Sequence, residues 1–205
     1  MITIKAEDNI INESFLHENG NISAKVCYPS FECENENLKK RLDDFYKSAA
    51  DEFVGFCKKL SHSKNAPSNG NVSLDWYVPF CDRNILSVLL DAVIFDGKKR
   101  HAARISHNWD LEKTIHLRSK NAFLTNKKTK ALYLDEICSK IHTRDGGFTY
   151  KKDAENLARK HFDFEKFYFV PKGLAFYYDS GLLCGGRTFP SFVIPFSEIE
   201  GFAFK

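Results

Sequence analysis

The chain has 205 residues, a hydrophobic content of 43% and a formal net charge of +3, values ordinary for a globular protein of one domain or two small ones. No apolar run approaches the ~20 residues that a membrane helix needs. The start of the chain places Lys5, Glu7 and Asp8 where a signal peptide has its apolar core. These features argue against a membrane segment and indicate a chain that is cytoplasmic as written. Of the two domain counts, we expect a single domain over residues 1–205.

The six cysteines are scattered along the chain without a CxxC pair, and this spacing argues against zinc-ribbon and thioredoxin-like sites. They are Cys27, Cys33, Cys57, Cys81, Cys138 and Cys184. Because no export signal is visible, we expect free and mostly buried thiols, whereas an exported chain could pair them. We predict neither a metal site nor a cofactor.

The first half of the chain predicts a strand followed by a long helix. Residues 22–28 alternate between apolar and polar side chains, which predicts a strand that Pro29 ends. Apolar residues then recur at spacings of three and four and form one stripe: Leu38, Leu42, Phe45, Ala49, Phe53, Phe56 and Leu60. Asn35 or Asn37 can cap this helix, and its single stripe predicts that it packs on a sheet.

The middle of the chain predicts sequential strands joined by tight turns. Leu74 to Phe80 alternate, and Ile85 to Phe95 are apolar on both faces, which is typical of a central strand. Asp91 interrupts this run, and its carboxylate needs a partner or an exposed edge because burying a lone charge is costly. Asp96-Gly97 marks a turn, after which Arg100 to Trp109 return as a strand. Such short connections favour antiparallel pairing.

The last third predicts two shorter helices, over 132–141 and 153–161, and then an aromatic hairpin. In the hairpin, Pro171 fixes φ for a type I turn and Gly173 takes the left-handed position of a bulge. Residues 192–194 predict a third strand, and Ser197 with Glu200 matches a capping box that starts a helical turn. The predicted fold class is α+β, an antiparallel sheet with one long helix and two shorter helices packed against it.

The charge of the chain is polarised around residues 97–130. This segment holds ten Lys or Arg residues against Asp110 and Glu112, which gives it +8 and leaves −5 for the rest. A local basic excess can steer an anionic partner, although nearby acidic residues can balance it in space. The candidate partner-binding residues are Lys98, Lys99, Arg100, His101, Arg104 and Arg118.

The sequence contains no catalytic signature, since nucleophile-elbow, zinc-protease, phosphate-loop and dinucleotide motifs are all missing. We therefore assign no catalytic residues and favour a binding module over an enzyme. One loop is a candidate site, because Cys184, Gly185 and Gly186 could place a thiol in a flexible segment. An enzyme would use Cys184, His161 or Asp91, and these side chains should then converge in one pocket.

Short sequence pieces also resemble a known family. The C-terminal pieces are Phe167-Tyr168, Lys172-Gly173-Leu174, Phe176-Tyr177-Tyr178 and Ile194-Pro195-Phe196-Ser197-Glu198-Ile199. The earlier pieces are Tyr28-Pro29 before the long helix, Ile85-Leu86-Ser87-Val88 and Asn108-Trp109-Asp110-Leu111. With these pieces the chain resembles the RsiV-type domain over residues 20–204, and most strongly over residues 72–204.

The resemblance implies a function and a setting. RsiV-type domains occur as the extracellular half of the anti-sigma-V factor and attached to peptidoglycan deacetylases. The resemblance therefore implies a bacterial, noncatalytic binding module of the cell envelope that is similar to an anti-sigma factor sensor. Members of the family are usually extracytoplasmic. Its partner would be lysozyme, another protein or a peptidoglycan-type polymer. The alternatives are an anionic-polymer or nucleic-acid binder acting through residues 97–130 and, second, a hydrolase of unknown class.

Overall fold

The computed structural model describes residues 3–18, 20–63, 66–67, 69–96, 98–186 and 188–202. Gly97, the first residue of the basic segment, and both ends of the predicted domain lie outside these ranges. The fold is mixed α+β, with two sheets and four α-helices among the described residues. The chain divides into two compact units, residues 1–77 with 90–103 and residues 78–89 with 104–205.

The larger sheet has six strands in the order β1-β2-β3-β4-β5-β6. Their bounds are Lys5–His17, Gly20–Glu32, Asn69–Asp82, Ile85–Phe95, Arg100–Asp110 and Ile115–His116. Strand β1 pairs antiparallel with β2 in unbroken register from Lys5 opposite Glu32 to His17 opposite Gly20. Strand β2 pairs parallel with β3, from Asn21 opposite Asn69 to Val26 opposite Leu74.

The long helix α1 spans Glu36–Ser61 and belongs to the first unit. Its N-cap is Asn35, whose side chain accepts a hydrogen bond from the Leu38 amide at 3.1 Å, so the first of the two predicted caps is confirmed. The apolar stripe of α1 packs on β2, and Cys57 is buried with Ile22, Ala24 and Val72. The face of the sheet that α1 covers therefore forms the core of the first unit together with that helix.

The second unit contains the three shorter helices and the smaller sheet. Helices α2, α3 and α4 span Ser119–Ala122, Lys127–His142 and Ala154–His161. Strands β7, β8 and β9 span Phe167–Val170, Gly173–Tyr177 and Ser191–Pro195, and they pair antiparallel in that order. The aromatic ring of Phe123 contacts those of Tyr133, Phe164, Phe167 and Phe176, with centroids 5.2–6.2 Å apart. Aromatic packing thus builds this core.

A buried polar network lies beside β7 in the second unit. The Ser87 hydroxyl donates to Asn108 Oδ1 at 2.5 Å and accepts from the Phe169 amide at 2.9 Å. Asn108 Nδ2 donates to the Phe167 carbonyl at 3.0 Å. Strand β7 is an edge strand, and these two side chains satisfy backbone groups that a neighbouring strand would otherwise bind.

Several sequence predictions need correction. The antiparallel sheet is two sheets, the β2–β3 pair is parallel, and α2 is an additional short helix. Pro29 does not end its strand. The β2–β3 register stops at Val26, so β2 has one neighbour among the described strands, β1, at Pro29, and the missing N–H of proline is tolerated on the side without a neighbour. The predicted helical turn is a 3-10 turn over Phe196–Glu198 without a side-chain cap.

The hairpin glycine is needed for a different reason from the predicted one. Gly173 does not have a positive φ, and Val170 opposite Gly173 closes a two-residue loop without a bulge. A Cβ on Gly173 would instead overlap the Ile194 carbonyl of the neighbouring strand. The close approach of β9, and not the turn conformation, therefore requires glycine here.

Candidate functional site

A cleft of about 550 Å³ lies in the first unit and crosses the sheet. Its lining residues are Asn12, Glu13, Ser14, Ser23, Ala24, Lys25, Asn71, Val72, Ser73, Val93, Phe95 and Arg100. Ala24 and Val72 are buried under α1, so the alternation of side chains along a strand turns Ser23, Lys25, Asn71 and Ser73 to the opposite face. The cleft is thus on the face that α1 does not cover.

Strand register arranges the polar side chains of this cleft in two rows. Ser14 lies opposite Ser23, which lies opposite Asn71, and Asn12 lies opposite Lys25, which lies opposite Ser73. Directly opposite residues project from the same face of a sheet. Each row therefore carries hydroxyl, amide or ammonium groups across three neighbouring strands.

Hydrogen bonds continue the polar surface next to the first row. The Ser14 hydroxyl donates to Asn21 Oδ1 at 2.8 Å, and Asn21 Nδ2 donates to Ser23 Oγ at 3.3 Å. These bonds orient the side chains at the exposed surface. The arrangement presents donors and acceptors in fixed positions to a ligand with hydroxyl or amide groups of its own.

The other end of the cleft carries a cation and an aromatic ring. The Arg100 guanidinium carbon lies 5.6 Å from the Phe95 ring centroid, within the range of a cation–π contact. The adjoining turn is organised by Asp96 Oδ1, which accepts from the backbone amides of Lys99 at 2.6 Å and Lys98 at 2.9 Å. These bonds hold the pKa of the Asp96 carboxyl below its usual value.

The six predicted partner-binding residues are distributed over both units. Lys98, Lys99, Arg100 and His101 are exposed in the first unit, and His101 Nε2 lies 3.7 Å from the Asp96 carboxylate. Arg104 and Arg118 belong to the second unit. The Arg104 guanidinium carbon lies 4.5 Å from the Phe189 ring centroid, and its carbonyl accepts from the Tyr177 hydroxyl at 3.3 Å. Arg118 is exposed at the start of α2.

The glycine-rich loop holds its thiol inside the second unit. Cys184 is 2% exposed, forms a β-bridge with Tyr150, and its Sγ lies 3.4 Å from Thr188 Oγ1. Gly185 and Gly186 are exposed. His161 is exposed at the end of α4, whereas Asp91 is half-buried in the first unit. All six cysteines of the chain are free thiols.

Sequence reasoning did not find a half-buried histidine pair in the second unit. The rings of His107 and His116 lie 5.5 Å apart, and the His116 ring also lies 5.5 Å from that of Trp109. Burial and then the neighbouring His116 lower the pKa of His107 to about 4. Over the residues that the structure describes, no group of three or more His, Cys, Asp and Glu side chains could hold a metal ion.

Comparison with known proteins defines the fold. No protein-family model matches the chain, and no curated protein matches it. A crystal structure of a DUF3298 family member from Bacteroides fragilis matches with 14% identity and a TM-score of 0.67, over 96% of this chain and 92% of that one. A DUF3298 family protein from Pseudomonas aeruginosa matches with 12% identity, a TM-score of 0.67 and the same coverage.

These neighbours confirm part of the resemblance drawn from the sequence. DUF3298 is the RsiV-type domain family, so the structural neighbours come from the family that the short motifs indicated. At 14% and 12% identity the likeness establishes a shared fold, and the function has to be argued from the site. No helix in the described ranges has the length and apolarity that crossing a bilayer requires.

Proposed function

We propose that this chain is a noncatalytic binding module and that its partner is a polymer of the cell envelope lying in the polar cleft of the first unit. One observation carries the proposal: hydroxyl and amide side chains from neighbouring strands form rows on the sheet face opposite α1. These groups both donate and accept hydrogen bonds, so they match the hydroxyl and amide groups of a saccharide chain. The RsiV-type fold of the neighbours supports the same class of module.

The lining of the cleft favours a binding role over catalysis. Among its described lining residues, Glu13 has the one carboxylate, and Glu13 lies opposite Ala24, whose side chain is on the face under α1. The cleft therefore does not pair an acid with a base or a nucleophile, which acid–base or covalent catalysis would need. Its side chains can hold a ligand without transferring protons.

A polymer fits this surface better than a folded protein does. Cores of protein interfaces are enriched in Tyr, Trp, Phe, Met and Arg and depleted in Ser and Lys. The centre of the cleft is formed by Ser23, Lys25, Asn71 and Ser73. Lysozyme, the partner implied by the resemblance, therefore serves as the competing ligand in the test.

The test is co-sedimentation of the chain with purified peptidoglycan, with lysozyme titrated in parallel. The double variant Ser23→Ala/Asn71→Ala removes two polar groups from one row and should weaken peptidoglycan binding about thirtyfold, since each lost hydrogen bond is worth about 1 kcal/mol. The matched control Asn37→Ala/Ser48→Ala makes the same chemical changes on the exposed surface of α1 and should bind as the parent does.

Two results would contradict this assignment. If the cleft variant and the control retain equal affinity for peptidoglycan, the polymer does not lie in the cleft. If lysozyme binds tightly and peptidoglycan does not sediment the chain, the partner is a protein. Circular dichroism of both variants confirms that they fold.

A further inference from the structure

The cleft carries one cation within its polar rows and a second cation at the end formed by Phe95 and Arg100. Lys25 projects from β2 in the same row as Asn12 and Ser73, and Arg100 lies at the start of β5 over the Phe95 ring. Both side chains line the cleft and are exposed. A ligand in the cleft would therefore meet an ammonium group and a guanidinium group as well as the hydroxyl and amide groups.

The described residues that line the cleft carry two cations, Lys25 and Arg100, and one carboxylate, that of Glu13. Glu13 lies opposite Ala24 and so belongs to the face under α1. Near Arg100, the Asp96 carboxylate accepts hydrogen bonds from the backbone amides of Lys98 and Lys99, and the exposed side chains of these two lysines outnumber it in charge. Asp75 projects two residues beyond Ser73 and is outside the cleft lining. The described lining of the cleft therefore has an excess of one positive charge, which can attract an anionic ligand.

We propose that the cleft binds an anionic polysaccharide, one whose sugar units carry carboxylates, and that Lys25 and Arg100 recognise the charge. The inference rests on the proposed function and adds the class of polymer. Hydroxyl and amide rows bind the sugar rings, while the guanidinium of Arg100 can donate two parallel hydrogen bonds to one carboxylate. Lys25 supplies a second, less directional contact.

The same observations favour a polysaccharide over a nucleic acid. Proteins that bind single-stranded nucleic acid offer successive aromatic side chains on which bases stack, along a groove of many cations. Among the described residues that line the cleft, Phe95 is the one aromatic, and its ring faces the Arg100 guanidinium. The remaining lining groups are short polar side chains, which suit hydroxyl-rich rings that lie close to the sheet.

The experiment is calorimetric titration of the full chain with three probes of matched length: oligogalacturonate, neutral chitooligosaccharide and single-stranded oligonucleotide. Oligogalacturonate should bind at least about tenfold more tightly than the neutral oligosaccharide, since a hydrogen bond to a charged group is roughly twice as strong as one between neutral groups. Lys25→Ala and Arg100→Ala should each lower the affinity for oligogalacturonate more than the affinity for the neutral oligosaccharide, and so remove most of that difference. Lys58→Ala, in the last turn of α1, is the matched control and should change neither affinity.

The outcomes separate this inference from the proposed function. Equal affinity for the carboxylated and neutral probes, or an unchanged preference in Lys25→Ala and Arg100→Ala, overturns the anionic assignment and leaves the binding module standing. Failure of both saccharides to bind overturns the two proposals together. If the oligonucleotide binds more tightly than oligogalacturonate and Arg100→Ala removes that tighter binding, the ligand of the cleft is a nucleic acid and not a polysaccharide.

Discussion

The polar network beside β7 makes a quantitative prediction about stability. Val170 opposite Gly173 closes the β7–β8 hairpin, and this register turns the backbone groups of Phe167 and Phe169 away from β8. The Phe167 carbonyl and the Phe169 amide are bound instead by Asn108 and Ser87. The two side chains thus take the place of a strand, and removing either one leaves a buried backbone group without its partner.

We expect Asn108→Ala to lower the free energy of unfolding by about 3 kcal/mol, since an orphaned buried carbonyl costs about 1–3 kcal/mol and the bond from Ser87 is lost as well. Ser87→Ala should lower the free energy of unfolding by about 2 kcal/mol, because the buried Phe169 amide loses its hydrogen-bond acceptor. The double variant should cost less than the sum, because the two residues share a 2.5 Å hydrogen bond and lie in one network.

Urea unfolding measures these differences if the slope with denaturant stays constant between variants. Ser106→Ala is the control, since its half-buried hydroxyl makes a longer contact of 3.4 Å to the Tyr177 hydroxyl. That variant should stay within about 0.5 kcal/mol of the parent. The reasoning is wrong if Asn108→Ala changes stability no more than Ser106→Ala does.

Two further predictions concern acid stability and the glycines. In the folded protein the pKa of His107 is about 4, against an ordinary value of 6.5. The stability that its neutral form contributes is therefore fully present above pH 6.5 and is lost as the pH falls through 4. Over that window the free energy of unfolding should fall by about 3 kcal/mol. His107→Gln should flatten a plot of urea midpoint against pH over that window, whereas exposed His101→Gln should not. Gly173→Ala should destabilise the protein by more than about 3 kcal/mol, because the added Cβ would overlap the Ile194 carbonyl. Gly55→Ala in α1, where an added Cβ meets no other atom, should stabilise the protein by about 0.5–1 kcal/mol in the same urea assay. A destabilising Gly55→Ala or a neutral Gly173→Ala would contradict the packing described for these positions.

Local patterns in the sequence were sufficient to find α1, α3, α4 and the strands of the hairpin, whereas the short α2 was not predicted. The spacing of apolar residues and the Asn35 cap predicted α1 within two residues of its observed start at Glu36, and the shorter α4 was predicted to within one residue. Helix α3 begins at Lys127, five residues before the predicted start, because Asn126 caps it and its first turn is polar. Caps and periodicity are local features, so they can be read without knowledge of the partner elements.

Pairing between distant segments could not be predicted in the same way. Strand β1 has polar residues on both faces and only weak alternation, and its place at the sheet edge depends on β2. The parallel β2–β3 pair is separated in sequence by α1, and no local pattern records its register. Ser87 within an apolar strand was the one visible signal of the β7 network, since a hydroxyl in such a run requires a partner.

The candidate site shows why counting charges along the chain was a weak guide to it. The basic segment is contiguous in sequence, yet its residues are divided between two units, and Arg100 is the member that lines the cleft. Screening makes the sum of charges less important than the side chains that share one surface. Strand register decides which side chains those are, and it does not follow from composition.

The polar cleft and the core of the first unit have a common origin in the alternation along β2. Ile22, Ala24 and Val26 are buried, so Ser23 and Lys25 must project from the other face. A slip of one residue in the β2–β3 register would move the apolar set into the cleft and the polar set under α1. Because burial of the apolar set fixes the register, the packing of α1 also fixes the spacing of the groups that face the ligand. The geometry of the binding surface is therefore stabilised by the core of the unit, and substitutions such as Ser23→Ala can change binding without altering the fold.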